Sequence, residues 1–268
     1  MATPRERALA KLAAFDRAKA AKRIEKFIAG YVRGASAKGV VIGLSGGLDS
    51  AAVAALCVRA LGSKKVFGLV MPGRSTPKED TDDAVAHAKE LGIEYQIIDI
   101  EPIVERYTQD LPGDKIARGN LTTRVRTSIL YYHAYVRKSL VAGTSDRSEM
   151  MIGYFTKFGD GAADLLPIAD VYKTQLRKLG QYLKLPDAIL QKKSGPRLWS
   201  GHTAEGELGM GYETIDPVLA MLVDRKKTAR QAASALGIPL AHVTRVQEMM
   251  ERSAHKRAMP AKPDDKRS

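Results

Sequence analysis

Ile24, Phe27, Ile28, Tyr31 and Val32 recur at i, i+3, i+4, i+7 and i+8, the spacing of one buried helix face. Gly34 and Gly39 interrupt that pattern, and Val40-Val-Ile-Gly-Leu44 follows as a short apolar run rich in β-branched residues, which predicts a strand. The Ala-rich stretch from Ser50 to Leu61 then reads as a helix. The same succession returns downstream. Val66 to Met71 reads as strand, Lys78 to Leu91 as helix and Tyr95 to Ile100 as strand, and Ser139 to Ala142 is a further strand after a long helix from about Leu121. Alternating strands and helices predict a parallel sheet covered on both faces.

From Pro167 onward strand signals cease. Tyr172–Leu183, Pro217–Val223, Thr228–Leu236 and Leu240–Arg252 read as helices separated by Gly and Pro breaks, so a C-terminal helical layer is expected over roughly 166–260. Residues 228–246 have the outline of helix, Gly-containing turn, helix; this fits an ordinary helical hairpin, with a DNA-reading motif as the alternative.

Length changes this picture little: 268 residues correspond to between one and two domains at ~150 residues each. No apolar run approaches the ~18 residues of a membrane helix, and the start does not read as a secretion signal. One cysteine, Cys57, permits neither an intrachain disulfide nor a cysteine-based metal cluster, which suits a reducing cytoplasm. Charge is more informative. Forty-three Lys and Arg against thirty Asp and Glu give a net +13, which favours a polyanionic partner, either nucleic acid or a phosphorylated small molecule. Part of the excess sits in a basic segment over 1–22, expected to be helical, and part near the C-terminus, where 261–268 is expected to be a flexible basic tail.

The chemistry concentrates in Leu44-Ser-Gly-Gly-Leu-Asp-Ser50, where a strand hands over to a helix. Backbone N–H groups and the positive end of the helix dipole converge there, which suits an anion. Gly46 and Gly47 permit close backbone approach, and Ser45 and Ser50 offer hydroxyl donors. The lysine of a Walker loop is missing, and no dinucleotide fingerprint is present. Asp49 would repel a phosphate unless a cation bridged them, so it implies Mg²⁺.

Ser-Gly-Gly-x-Asp-Ser at a strand end resembles the pyrophosphate loop of the N-type ATP pyrophosphatases. Further motifs follow in order: Gly119-Asn-Leu-Thr-Thr-Arg-Val-Arg126, Gly143-Thr-Ser-Asp-Arg-Ser-Glu149, Gly153-Tyr-Phe-Thr-Lys-Phe-Gly-Asp-Gly161 and Tyr172-Lys-Thr-Gln175. Glu207-Leu-Gly209, Tyr212 and Asp216 lead on to Ser253-Ala-His-Lys-Arg257. Together they resemble the ammonia-dependent NAD synthetases over roughly Ile24 to Pro260, a single domain over 23–260.

The resemblance implies a doubly wound, Rossmann-like α/β sheet of the adenine nucleotide alpha-hydrolase type. It implies a two-step ligation: the nicotinate carboxylate of deamido-NAD attacks the α-phosphate of ATP, and ammonia displaces AMP to leave the amide of NAD. Gly43, Leu44, Ser45, Gly46, Gly47, Leu48, Asp49, Ser50, Thr144, Lys173, Ser194 and Gly195 are then expected to bind ATP. Ser45, Asp49 and Lys173 are expected to be catalytic, with Asp49 and Glu149 as Mg²⁺ ligands. Arg124, Lys157, Asp164, His255 and Lys256 are expected to hold deamido-NAD. A homodimer is implied, with no membrane or nucleic-acid partner.

The chain departs from the family pattern at His202 and Ala204, where Gln and Asp are usual, and near Ser194 and Gly195, where a hydroxyl that meets the nucleotide is displaced or lost. Nitrogen from glutamine would need a nucleophilic cysteine, and Cys57 sits among apolar neighbours, so free ammonia is expected unless a separate glutaminase subunit delivers it.

Overall fold

The computed structural model describes residues 14–193, 195, 197, 199, 201 and 203–263. Ser194 and His202 therefore lie outside the described residues, as does most of the basic segment over 1–22 and most of the tail.

Strands β1 (Val40–Gly43), β2 (Val66–Val70), β3 (Glu94–Ile97) and β4 (Leu140–Val141) form a parallel sheet in the order β3-β2-β1-β4. Both faces are covered, and the alternation along the strands shows how. Val40 and Ile42 join one core with Ile24 and Ile28 of helix α1 (Arg17–Gly34) and the small residues of α2 (Leu48–Leu61). Val41, Phe67, Leu69 and Val141 face the other way, onto Val104 and Val125. Burial on both sides is why these strands read as unbroken apolar runs. The α1 helix begins at Arg17 and continues through Gly34 without a break at 22.

Between the strands lie α3 (Lys78–Glu90), α4 (Glu101–Thr108) and α5 (Lys115–Arg137). Two of these differ from the sequence expectation. The β3 strand ends at Ile97, though the Ile98 and Ile100 N–H groups still donate to the Val70 and Pro72 carbonyls, and α4 follows at once with a proline in its first turn, a position where the missing N–H costs nothing. The α5 helix begins at Lys115, capped by Asp114, whose side chain accepts from the Ala117 N–H at 2.7 Å; Gly119 and Asn120 lie inside it.

After β4 come α6 (Arg147–Ile152), α7 (Lys173–Tyr182) and α8 (Asp187–Leu190), then α9 (Ala204–Leu208), α10 (Tyr212–Leu219), α11 (Ala229–Leu236) and α12 (Leu240–Arg252). Ile152 and Tyr172 join Leu208, Tyr212, Ile215, Val243 and Val246 in a core separate from the sheet's. In α11 and α12, Ala232, Leu236, Val243 and Val246 are spent on that core, as in an ordinary helical hairpin. Among the described residues no helix is long and apolar enough to cross a membrane.

Candidate active site

The chain leaves β1 towards β2 on one side and reaches β4 on the other, so the strand order reverses between β1 and β4. In open α/β sheets a crevice opens at such a point, beyond the carboxyl ends of the strands. The loop 44–47 after β1 and the loop 142–146 after β4 both end there, each running into a helix N-terminus. A cavity of about 270 Å³ lies between them.

The glycine loop is internally cross-linked. Ser50 Oγ accepts from the Ser45 N–H at 3.2 Å and donates to the Gly47 carbonyl at 3.1 Å, and the two hydroxyl oxygens are 3.0 Å apart. Gly46 has φ +73°, and a Cβ there would lie 2.1 Å from the Asp80 carbonyl oxygen of α3, so both the conformation and the close approach require glycine. Lys192 Nζ donates to the Gly46 carbonyl at 3.1 Å and pairs with Asp80 and Asp83 at 2.6 Å each. This ties the segment after α8 to the loop.

On the opposite lip, Asp146 caps α6. Its Oδ1 accepts from the Glu149 N–H at 2.8 Å, and Glu149 Oε2 accepts back from the Asp146 N–H at 3.3 Å. Buried Asp216 joins α6 to α7: it accepts from Ser148 Oγ at 2.5 Å and from the Thr174 N–H at 2.8 Å. That junction places Lys173, the first residue of α7, beneath the crevice. Its ammonium is 2.5 Å from Asp49, 2.9 Å from Glu149 and 3.0 Å from Asp146.

Asp49, Asp146 and Glu149 each offer one oxygen within 4.8 Å of the others, a group able to hold a metal ion. Burial pushes the Asp146 and Glu149 carboxyls above the usual range, with Lys173 opposing the rise in both. For Lys173 burial acts to lower the value, but Asp146, Asp49 and Glu149 outweigh it and hold the ammonium charged.

Gly43, Leu44, Ser45, Gly47, Leu48, Asp49, Thr144, Glu149 and Gly195 line the cavity; Gly46, Ser50 and Lys173 stand behind its wall. Arg124, Lys157, His255 and Lys256 form a second group. Arg124 donates to the Lys157 carbonyl at 3.2 Å, Lys157 Nζ to the His255 carbonyl at 2.6 Å, and Lys256 Nζ to the Gly153 and Phe155 carbonyls at 2.8 Å. Asp164 stands apart, accepting from the Val141 N–H at 2.7 Å at the end of β4. Ala204 is buried in the C-terminal core and does not line the cavity. Cys57 is fully buried and its thiol is pushed up to about 12 by that burial, so it is no nucleophile.

Sequence reasoning overlooked Asp146 and the Asp80, Asp83 and Lys192 group. For Asp146 a signal existed, because Asp-Arg-Ser-Glu is a capping box in outline and places a helix start beside Glu149.

The NAD synthase family model matches residues 20–260. The chain is 51% identical over 247 residues to an NH3-dependent NAD+ synthetase of Hyperthermus butylicus, covering 91% of this chain and 90% of that one. It is 47% identical over 244 residues to the protein of the same name from Archaeoglobus fulgidus, covering 90% and 95%. Among solved structures it resembles NMN synthetase from Francisella tularensis, with TM-score 0.82, 34% identity, and 93% of this chain and 99% of that one covered. It also resembles the NH3-dependent NAD synthetase of Campylobacter jejuni, with TM-score 0.80, 32% identity, and 94% and 100% covered.

Proposed function

The chain belongs to the NAD synthase family, and on that premise we propose how its site amidates deamido-NAD to NAD with ATP and ammonia. The observation that carries the proposal is the meeting of the glycine loop and the Thr144 loop at the sheet's switch point, with Asp49 and Glu149 on one lysine.

ATP lies in the cavity with its β and γ phosphates on the loop of residues 44–50, where backbone N–H groups and the α2 dipole face the leaving pyrophosphate. Thr144 and Gly195 border the nucleotide. The carboxylate of deamido-NAD attacks the α-phosphate, pyrophosphate leaves, and ammonia then displaces AMP from the acyl adenylate. Ser45 steadies the phosphate chain through its hydroxyl and its hold on Ser50. Lys173, buried beneath the loop, fixes the Asp49 and Glu149 carboxylates and supplies positive charge behind the phosphates.

Mg²⁺ fits these residues: the donors are all carboxylate oxygens, as a hard cation requires, and they lie within reach of one another. Asp49 and Glu149 would hold it, and its chemistry is to neutralise charge developing on the pyrophosphate. Arg124, Lys157, His255 and Lys256, with Asp164, hold deamido-NAD, for whose pyrophosphate and carboxylate the basic groups are suited. Free ammonia is the nitrogen source, since Cys57 cannot serve a glutaminase.

A cytoplasmic homodimer completes the proposal. Phe27 and Tyr31 of α1 and Tyr131, Tyr132 and Tyr135 of α5 are exposed aromatics, surface that a second copy can cover. Light scattering on the purified chain should give twice the chain mass.

The function is tested by mixing the chain with ATP, Mg²⁺, deamido-NAD and ammonium, and following AMP and NAD. Equal yields are expected, with little product from glutamine. ADP release, or turnover with nicotinate mononucleotide that exceeds turnover with deamido-NAD, would overturn the proposal.

A further inference from the structure

The carboxylates of Asp49, Asp146 and Glu149 share the ammonium of Lys173, the cation paired with them among the described residues. Three carboxyl groups share one ammonium where both Asp146 and Lys173 are inaccessible to solvent. Like charges gathered in a low-dielectric setting are costly unless another cation answers them.

Asp146 divides its oxygens between two tasks. Oδ1 caps α6 by accepting the Glu149 N–H at 2.8 Å. Oδ2 is not needed for the cap. It is buried, completes no hydrogen bond, and lies 3.0 Å from Lys173 Nζ. An aspartate whose duty was capping alone could be serine, threonine or asparagine at this position, with no charge to bury.

A second observation points the same way. Tyr212 is fully buried and its hydroxyl has no hydrogen-bond partner. Its ring centre is 5.4 Å from Lys173 Nζ, and the charges that bear on the hydroxyl are Glu149, Lys173, Asp146 and Asp49. A buried hydroxyl without a partner, on a ring packed against Lys173, suits a water, and Mg²⁺ characteristically retains several of its waters.

We propose that Asp146 is a third carboxylate ligand of the divalent cation, acting through Oδ2 beside Asp49 and Glu149. This rests on the metal reading of Asp49 and Glu149 given above. A third anionic ligand would raise affinity for the cation before nucleotide arrives. Lys173, shared among all three, sets their spacing.

The test is titration of the full chain with Mn²⁺, followed by electron paramagnetic resonance of free Mn²⁺, with and without a non-hydrolysable ATP analogue. The variants are Asp146→Asn, Asp146→Ser and Asp49→Asn. Asn and Ser can both retain the cap, and circular dichroism checks that each variant is folded. Mn²⁺ affinity in both Asp146 variants should fall at least ~10-fold without nucleotide, the scale on which even groups behind the ligands act. Parental affinity in either folded Asp146 variant, with loss in Asp49→Asn, would overturn the third ligand and leave the metal reading standing. No Mn²⁺ binding by the parent in either condition would overturn both.

Discussion

Gly46→Ala is the sharpest test of how the phosphate loop is built. The added Cβ would stand 2.1 Å from the Asp80 carbonyl oxygen, against the ~3.5 Å of an ordinary non-bonded contact, and the obstacle is backbone, not a flexible side chain. Either the loop or the first turn of α3 must move by about 1 Å. The φ of +73° adds ~1–2 kcal/mol for any residue with a Cβ. Stability should therefore fall by ~2 kcal/mol or more in urea denaturation. A ~1 Å displacement of reacting groups can cost ~100-fold in rate, or ~2.7 kcal/mol of barrier, so kcat/KM for ATP should drop by at least that factor. The control is Gly47→Ala. Its Cβ meets just the Ser45 hydroxyl at 3.3 Å, and φ there is −97°, so stability should stay within ~0.5 kcal/mol of the parent and the loss of activity should be smaller. Equal effects of the two substitutions, or parental stability and KM in Gly46→Ala, would refute the reasoning.

Asp49→Asn and Glu149→Gln should each lower adenylation by ~100-fold or more with the fold retained, measured as pyrophosphate release at limiting Mg²⁺; near-parental turnover would remove them from the centre. Lys192→Met strips Asp80, a buried carboxylate, of one of its two cations and releases the Gly46 carbonyl. It should cost ~1–3 kcal/mol in thermal unfolding and raise KM for ATP about tenfold, and an unchanged KM would separate this lysine from the loop's geometry. Cys57 should resist thiol reagents at pH 8 in the folded chain and react fully after unfolding. Because the folded thiol is raised from 9.0 to about 12, its stabilising effect is whole below pH 9 and is lost as pH climbs towards 12. Cys57→Ala should flatten that slope, leave ammonia-dependent turnover in place, and confer no use of glutamine.

What the chain disclosed in one dimension was what is local. Two glycines between hydroxyls, ahead of an aspartate and at the border of an apolar run and an Ala-rich helix, mark a candidate anion loop, because every group involved lies within seven residues. The paired faces of β1 were legible too, since alternation at Val40, Val41 and Ile42 is all that two-sided burial requires. The Lys192 and Asp80 pair spans 112 positions, and nothing near either residue marks the other as its partner. Lys173 was expected at the site through the resemblance of its motif, but nothing beside it in sequence signals its complete burial, next to a Thr174 N–H that donates to Asp216, 42 positions on. Ala204 is instructive in the same sense. It departs from the family pattern, and its side chain packs in the C-terminal core, where an aspartate would have to be desolvated.

Electrostatics act here on two length scales. The whole chain carries +13, which attracts ATP and deamido-NAD, both polyanions, from beyond the ~8 Å over which salt screens exposed charges. Within the crevice, which Arg126, Lys192, Lys193 and Arg197 also line, Asp49 and Glu149 place negative charge beside the loop proposed to accept pyrophosphate. An anion drawn in by the distant field would meet repulsion at the last few ångströms unless a cation arrived with it. On the proposed reading of the site, the field of the chain and these carboxylates favour one form of the nucleotide, the metal complex, over free ATP. Excess free ATP should then inhibit at fixed total Mg²⁺, and raising salt should increase KM for the nucleotide more than it lowers kcat. Salt that lowered kcat while leaving KM unchanged would show that the long-range field contributes nothing to capture.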